Sequence, residues 1–112
     1  MDPEIRNFET EMNRGFLQIL VLAILEKDGY GYAMGRTIRD LGYEVEENTL
    51  YPMLRRLEKG GWVRSKWDVA KDRPRKFYSI TEAGRALRTE LLGAWRKQGR
   101  ILSRVMKEDP HV

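Results

Sequence analysis

The sequence has no cysteine and a single histidine, His111, next to its last residue. The first absence excludes disulfides and every thiolate-based metal or catalytic site. The second leaves no material for a histidine constellation beyond one solvated tail residue. There is also no Gly-rich phosphate loop and no nucleophile–base pair, so the chain reads as a non-enzyme that needs no cofactor. The longest apolar run, Leu17 to Leu25, is interrupted by Gln18 and falls far short of the ~20 residues that span a membrane. The opening Met1-Asp2-Pro3-Glu4 lacks the basic and apolar regions of a signal peptide. Together these absences predict a soluble, cytoplasmic protein with no membrane partner.

What is present is a modest core and much charge. The chain has 112 residues, 41% hydrophobic and 34% charged, which fits one domain with at most a helical extension. So small a core gains from burial against a second copy, and a homodimer is expected. The charge is uneven. Residues 1–54 carry net −5, residues 55–76 net +6 and residues 77–112 net +3. Clustered cations of this kind make a footprint for a polyanion, whereas dispersed ones are usually only a solvated surface.

Periodicity divides the chain further. Residues 2–14 are polar, with Phe8 and Met12 four apart, and read as a short amphipathic arm. Phe16 to Leu25 is apolar on nearly every face, the mark of a central core helix. Asn13 is its expected N-cap, and Glu26-Lys27-Asp28-Gly29 its exit. A second helix starts near Tyr30, with Met34, Ile38 and Leu41 on one face and Gly42 as its stop. A third runs from about Asn48 to Lys59, with Leu50, Leu54 and Leu57 inward and Gly60-Gly61 at its end. Glu47 or Asn48 is its expected cap, and Pro52 is tolerable only near its first turn.

The period then changes from helical to alternating. In Trp62 to Val69, Val63, Ser65, Trp67 and Val69 share one face of a predicted strand. Residues 70–75 form a polar turn and Lys76 to Ile80 return as the second strand, which gives a hairpin with a basic tip. A short strand at Tyr43–Glu46 is expected to complete the sheet. Thr81 caps a long final helix. Its residues Leu87, Leu91, Ala94, Gln98, Ile101 and Val105 form a heptad-like stripe. Leu92, Trp95, Leu102 and Met106 form a second stripe beside it. Asp109-Pro110 is the expected stop.

Three helices followed by a β-hairpin describe an α+β, mainly α fold: a winged helix-turn-helix with a long C-terminal dimerisation helix. The predicted division is residues 1–80 as a DNA-binding domain, with 1–13 an arm placed to assist dimerisation, and residues 81–112 as the dimerisation helix and tail. In helix-turn-helix proteins the second helix of the motif enters the major groove. Here that is the third helix, so the +6 segment coincides with the reading helix and the wing. Arg55 and Arg56 are candidates for phosphate contacts. Glu44, Glu46 and Glu47 near the start of that helix suit its dipole but repel phosphates.

Asn48 to Val63, with its Leu50-Tyr51-Pro52 core, resembles the signature of PadR-type transcriptional regulators. So do Gly31-Tyr32, Trp67 and the stretch Arg75 to Arg85, which contains Thr81-Glu82-Ala83-Gly84. The resemblance covers about residues 14–90. It implies a homodimer formed through the C-terminal helix, a member of the small subfamily with a short C-terminus, and a repressor that releases DNA when a small molecule binds. By position it implies DNA contacts from Asn48, Thr49, Tyr51, Pro52 and Arg55 in the recognition helix, and from Lys71, Arg73, Arg75 and Lys76 in the wing. Multidrug-sensing members that look like this chain stack flat apolar ligands on a tryptophan of the last helix. Trp95, with Leu91, Leu92, Ile101 and Leu102, is therefore the candidate effector and dimer-interface group, while its alternative reading is plain core packing. The partners expected are double-stranded DNA with a pseudo-palindromic operator, a second copy of the chain, and a small aromatic or hydrophobic effector. The competing reading is a winged-helix protein-interaction module that does not touch DNA.

Overall fold

The computed structural model describes residues 2–69 and 73–106. In chain order the elements are α1 (Pro3–Ile24), β1 (Gly29–Tyr30), α2 (Gly31–Asp40), α3 (Glu47–Lys59), β2 (Val63–Asp68), β3 (Arg75–Ile80) and α4 (Glu82–Val105). The strands form one antiparallel sheet in the order β1-β3-β2. Helix-turn-helix followed by a hairpin wing is the winged-helix fold, with α3 as the second helix of the motif.

α1 is longer than its apolar run. Asp2 caps it, its carboxylate accepting from the Glu4 amide at 2.8 Å, and Pro3 takes the first helical position. That pair nucleates the helix at its first residues, so Asn13 is not an N-cap. It lies mid-helix, and its carbonyl accepts from the Tyr43 hydroxyl. The predicted arm is therefore the first half of α1, with Ile5, Phe8 and Met12 on one exposed row. In the second half, Leu17, Val21 and Leu22, with Leu25 at the C-cap, are buried at the centre of the core.

The third strand is not where the alternation placed it. Residues 43–46 form no strand; β3 pairs instead with Gly29–Tyr30, in the register Gly29↔Tyr78 and Tyr30↔Phe77. The alternation at Tyr43–Glu46 has a different cause. Tyr43 and Val45 pack against the core while Glu44 and Glu46 face solvent, so the connection between α2 and α3 is half-buried without a hydrogen-bonded partner strand. Leu41 is also corrected: it is the C-cap of α2 and 64% exposed. Gly42 and Gly61 take positive φ at the exits of α2 and α3, as predicted for stops.

α3 begins at Glu47, with Glu46 as a cap that makes no side-chain hydrogen bond. The first amide bonds go back to the Glu46 carbonyl. Pro52 is thus inside the helix, not in its first turn. The proline forfeits one backbone bond, to the Asn48 carbonyl. Asn48 is exposed, so water can satisfy that oxygen, and four buried residues, Leu50, Met53, Leu54 and Leu57, hold the helix in place. Full burial of such side chains is worth about 1.5–3 kcal/mol each.

α4 is capped as predicted: Thr81 Oγ1 accepts from the Gly84 amide at 3.0 Å and donates to the Gly61 carbonyl at 2.7 Å. A Cβ at Gly84 would stand 2.0 Å from the Trp62 carbonyl oxygen, so the glycine is what lets α4 start against the entry to the wing. The expected Asp109-Pro110 stop lies outside the described residues. α1 and α4 run antiparallel: Glu26 pairs with Arg88 and Arg85 at one end, and Phe16 packs against Trp95 further along. Among the described residues no helix is long and apolar enough to cross a membrane.

Candidate nucleic-acid interface

The apolar spacing of α3 turns its polar residues outward. Asn48, Thr49, Pro52, Arg55 and Arg56 are exposed and Tyr51 is half-buried. The hairpin, with Trp67 paired to Lys76 and Asp68 to Arg75, brings its cations beside that surface. Between them lies a groove of about 380 Å³. Tyr51 and Arg55 line it from α3, and Arg73, Arg75 and Lys76 line it from the hairpin. Asn48, Thr49, Pro52 and Arg56 do not line it and lie on the open surface of α3. Lys71 lies outside the described residues.

Tyr32, Trp67 and Tyr78 also line the groove, and none of them was among the predicted contact residues. Strand alternation already places Trp67 on a defined face, but only the register shows that Lys76 is its cross-strand neighbour. Tyr32 has no periodic signal, because it stands in the first turn of α2. Gly31 before it is required by close approach: a Cβ there would come within 2.9 Å of the Tyr78 ring and 3.8 Å of the Tyr51 ring.

The cations are held in different ways. The Arg75 guanidinium lies 4.3 Å from the centroid of the Tyr32 ring, and Lys76 Nζ lies 5.6 Å from that of Trp67. These are cation–π distances. Lys76 is also 3.6 Å from Glu58, which in turn accepts from the Ser65 hydroxyl. Part of the Lys76 charge is therefore neutralised locally, whereas Arg73 is exposed. Burial pushes the Tyr78 phenol up, with Glu58 adding to the effect and Arg55 opposing it. At the tip end of the wing's strands the Tyr30 hydroxyl donates to Asp68, and that bond is the chief cause of the raised Tyr30 pKa.

A second surface lies on the α1–α4 pair. Trp95 packs against Phe16 with the rings tilted and their centroids 5.3 Å apart, and remains 41% exposed. Leu91 and Leu92 are half-buried, and Leu91 packs against the core. Ile101, Leu102, Val105 and Met106 of α4 are exposed, as are Ile5, Phe8 and Met12 of α1.

Residues 20–90 match the Transcriptional regulator PadR-like family. The chain belongs to that family. A PadR family transcriptional regulator from Eggerthella lenta is 34% identical, with a TM-score of 0.86 and 94% of each chain covered. An uncharacterized protein of Lysinibacillus sphaericus is 34% identical over 103 residues, covering 88% of this chain and 94% of its own length. Bacillus subtilis PadR, whose crystal structure is in complex with operator DNA, shares the fold at a TM-score of 0.64 and 22% identity. That likeness covers 69% of this chain and 47% of the Bacillus protein. Membership of the PadR-like family makes this chain a transcriptional regulator and not an enzyme.

Proposed function

We propose that the protein is a ligand-responsive repressor that binds a pseudo-palindromic operator as a homodimer in the cytoplasm. The observation that carries the reading is one cationic groove, lined by Arg55 of α3 and by Arg73, Arg75 and Lys76 of the hairpin. Asn48, Thr49, Tyr51 and Pro52 enter the major groove with the first turns of α3. Arg55 and Arg56 contact phosphates, and the wing with Lys71, Arg73, Arg75 and Lys76 follows the adjacent backbone. Residues 1–80 act as the DNA-binding domain, and α4 with the first half of α1 forms the two-fold interface. Its support is the row of exposed apolar residues on both helices, since unpartnered apolar surface of that extent marks an interaction site. Trp95, Leu91, Leu92, Ile101 and Leu102 take a flat hydrophobic effector at that interface. Effector binding releases DNA.

Selection of bound duplexes from random DNA by the full chain, followed by titration at several salt concentrations, tests the reading. Three to five phosphate contacts per chain give a dimer slope of log K against log salt of roughly −5 to −9. Arg73→Ala with Arg75→Ala should reduce that slope by roughly 2 to 4. Failure to enrich any duplex would favour the second reading, a protein-interaction module, for which Trp67, 61% exposed, and Val69, 70% exposed, supply an apolar patch beside the wing.

A further inference from the structure

A carboxylate at position 58 runs against two electrostatic preferences. The last turn of α3 carries the negative end of the helix dipole, which favours cations such as Arg56 and Lys59. The groove beside it is lined by Arg55, Arg73, Arg75 and Lys76, and a carboxylate there repels the phosphates those cations attract. What Glu58 gains is a hold on both strands of the hairpin. Its Oε2 accepts from the Ser65 hydroxyl of β2, and its Oε1 lies 3.6 Å from Lys76 Nζ of β3. Ser65 stands opposite Tyr78, and Lys76 opposite Trp67, so the two partners are diagonal neighbours on one face of the sheet. That face is the inner one, since Tyr78 belongs to the core. One carboxylate from α3 therefore spans the hairpin corner to corner. Lys76 Nζ also stands over the Trp67 ring at 5.6 Å, so its place is defined from two sides.

The cationic segment 55–76 has two further acids, Asp68 and Asp72. Asp72 lies outside the described residues, and Asp68 accepts from Tyr30. Ser65 and Asp68 are three apart in one strand and point to opposite faces. The Tyr30 bond thus ties strand to strand on the outer face. Glu58 ties the hairpin to α3 on the inner face.

From this geometry we infer that Glu58 is a positioning residue: it sets the pitch of the wing against α3, and so the place at which Arg73 and Arg75 meet the duplex. Glu58 itself touches no DNA. The tether stands on the contacts; its consequence for DNA rests on the operator reading proposed above. Charge and positioning act with opposite signs here. By charge alone, loss of Glu58 adds one net positive charge and frees Lys76, so duplex binding tightens and its salt slope steepens. By positioning, the same loss weakens binding, because a wing free to swing loses that freedom on docking.

The test uses the full chain and the duplex it selects from random DNA. Glu58→Ala, checked for unchanged melting, should bind that duplex at least about tenfold more weakly, against the direction of its charge. Glu58→Gln keeps an acceptor for Ser65 and should fall between the two; where Glu58→Ala melts lower, it carries the same comparison. A second duplex lacks the base pairs that hydroxyl-radical footprinting places under the wing. This trimming should weaken the parent protein about tenfold and Glu58→Ala less than about twofold. A merely destabilised variant would lose the full factor on trimming, as the parent does. Without DNA, the indole N–H signal of Trp67 in a ¹⁵N-labelled sample should shift and broaden in Glu58→Ala, while that of Trp95 stays. Equal or tighter duplex binding by the variant, or its full loss on trimming, would overturn the positioning role. An unmoved Trp67 signal would overturn the tether itself. A moved Trp67 signal in a protein that selects no duplex would leave the tether standing and remove the DNA reading instead.

Discussion

The Tyr30 hydroxyl donates to Asp68 Oδ2 at 2.6 Å, across 38 positions of sequence. Tyr30 belongs to β1 and Asp68 is the last residue of β2, the two outer strands of the sheet. The bond therefore crosses over β3 and braces the wing at the end nearest its tip. Tyr30 packs edge-on to Phe77 at 5.1 Å and beside Tyr32 at 5.5 Å, so the brace also positions the ring that carries Arg75. Tyr30→Phe keeps the ring and removes the bond. It should lower the midpoint of urea unfolding, because a hydrogen bond to a charged acceptor is lost. Affinity for the selected duplex should fall more than stability requires, because the wing loses its fixed angle.

Gly84→Ala tests the contact between α4 and the wing entry. The new methyl would meet the Trp62 carbonyl oxygen at 2.0 Å and Ile80 Cγ1 at 2.8 Å. Neither backbone nor β3 can retreat cheaply, and overpacking of this kind costs about 1–3 kcal/mol or more. Thermal unfolding should show a fall in Tm of several degrees. A Tm equal to that of the parent protein would mean that α4 does not dock there.

The homodimer interface is open to a charge test. Phe8 on α1 and Val105 on α4 are 75% and 72% exposed in the single chain, so changing them leaves the core intact. Phe8→Glu with Val105→Glu should give monomers by analytical ultracentrifugation with far-UV circular dichroism unchanged. Each buried charge in an apolar interface lacks a partner and costs several kcal/mol. A dimer that persists would place the two-fold axis elsewhere.

Glu26, at the exit of α1, accepts a hydrogen bond from Arg88 and lies 3.7 Å from Arg85 Nε. The Arg88 hydrogen bond, then its charge, holds the carboxyl below its usual range. A lowered folded-state pKa gives stability above the unfolded value, near 4.3, which is lost as pH falls through the folded value. The pair is exposed, so the effect is small. Glu26→Gln should lower Tm slightly at about pH 7, and the gap should narrow as the pH falls below about 4. A gap of constant size across that range would mean that the ion pair contributes nothing.

Much of the architecture was legible because its signals are local. The all-apolar run of α1, the Leu50-Leu54-Leu57 row of α3, the glycine stops and the Thr81 cap each act within a few residues. Two of the expectations that the structure corrects fail for separate reasons. Alternation at Tyr43–Glu46 reports half-burial, and half-burial arises with or without a partner strand. Only the position of β3 decides that Gly29–Tyr30 is the segment it pairs with. The start of the apolar run points to Asn13 as a cap, but the Asp2-Pro3 pair lies one helix half earlier. A polar segment continues a helix when its few apolar residues keep the spacing.

Composition and local pattern determined that this chain makes a small winged helix with a cationic hairpin and surplus apolar surface on its first and last helices. Helical and strand periods are properties of neighbouring residues, and charge is counted without coordinates. Tertiary structure alone decided that Tyr32, Trp67 and Tyr78 gather with Arg55 and Arg75 around one recess, and that Phe16 meets Trp95. Those contacts join residues far apart in the chain. Their distances follow from how the helices and the sheet pack, which no local stretch of sequence encodes.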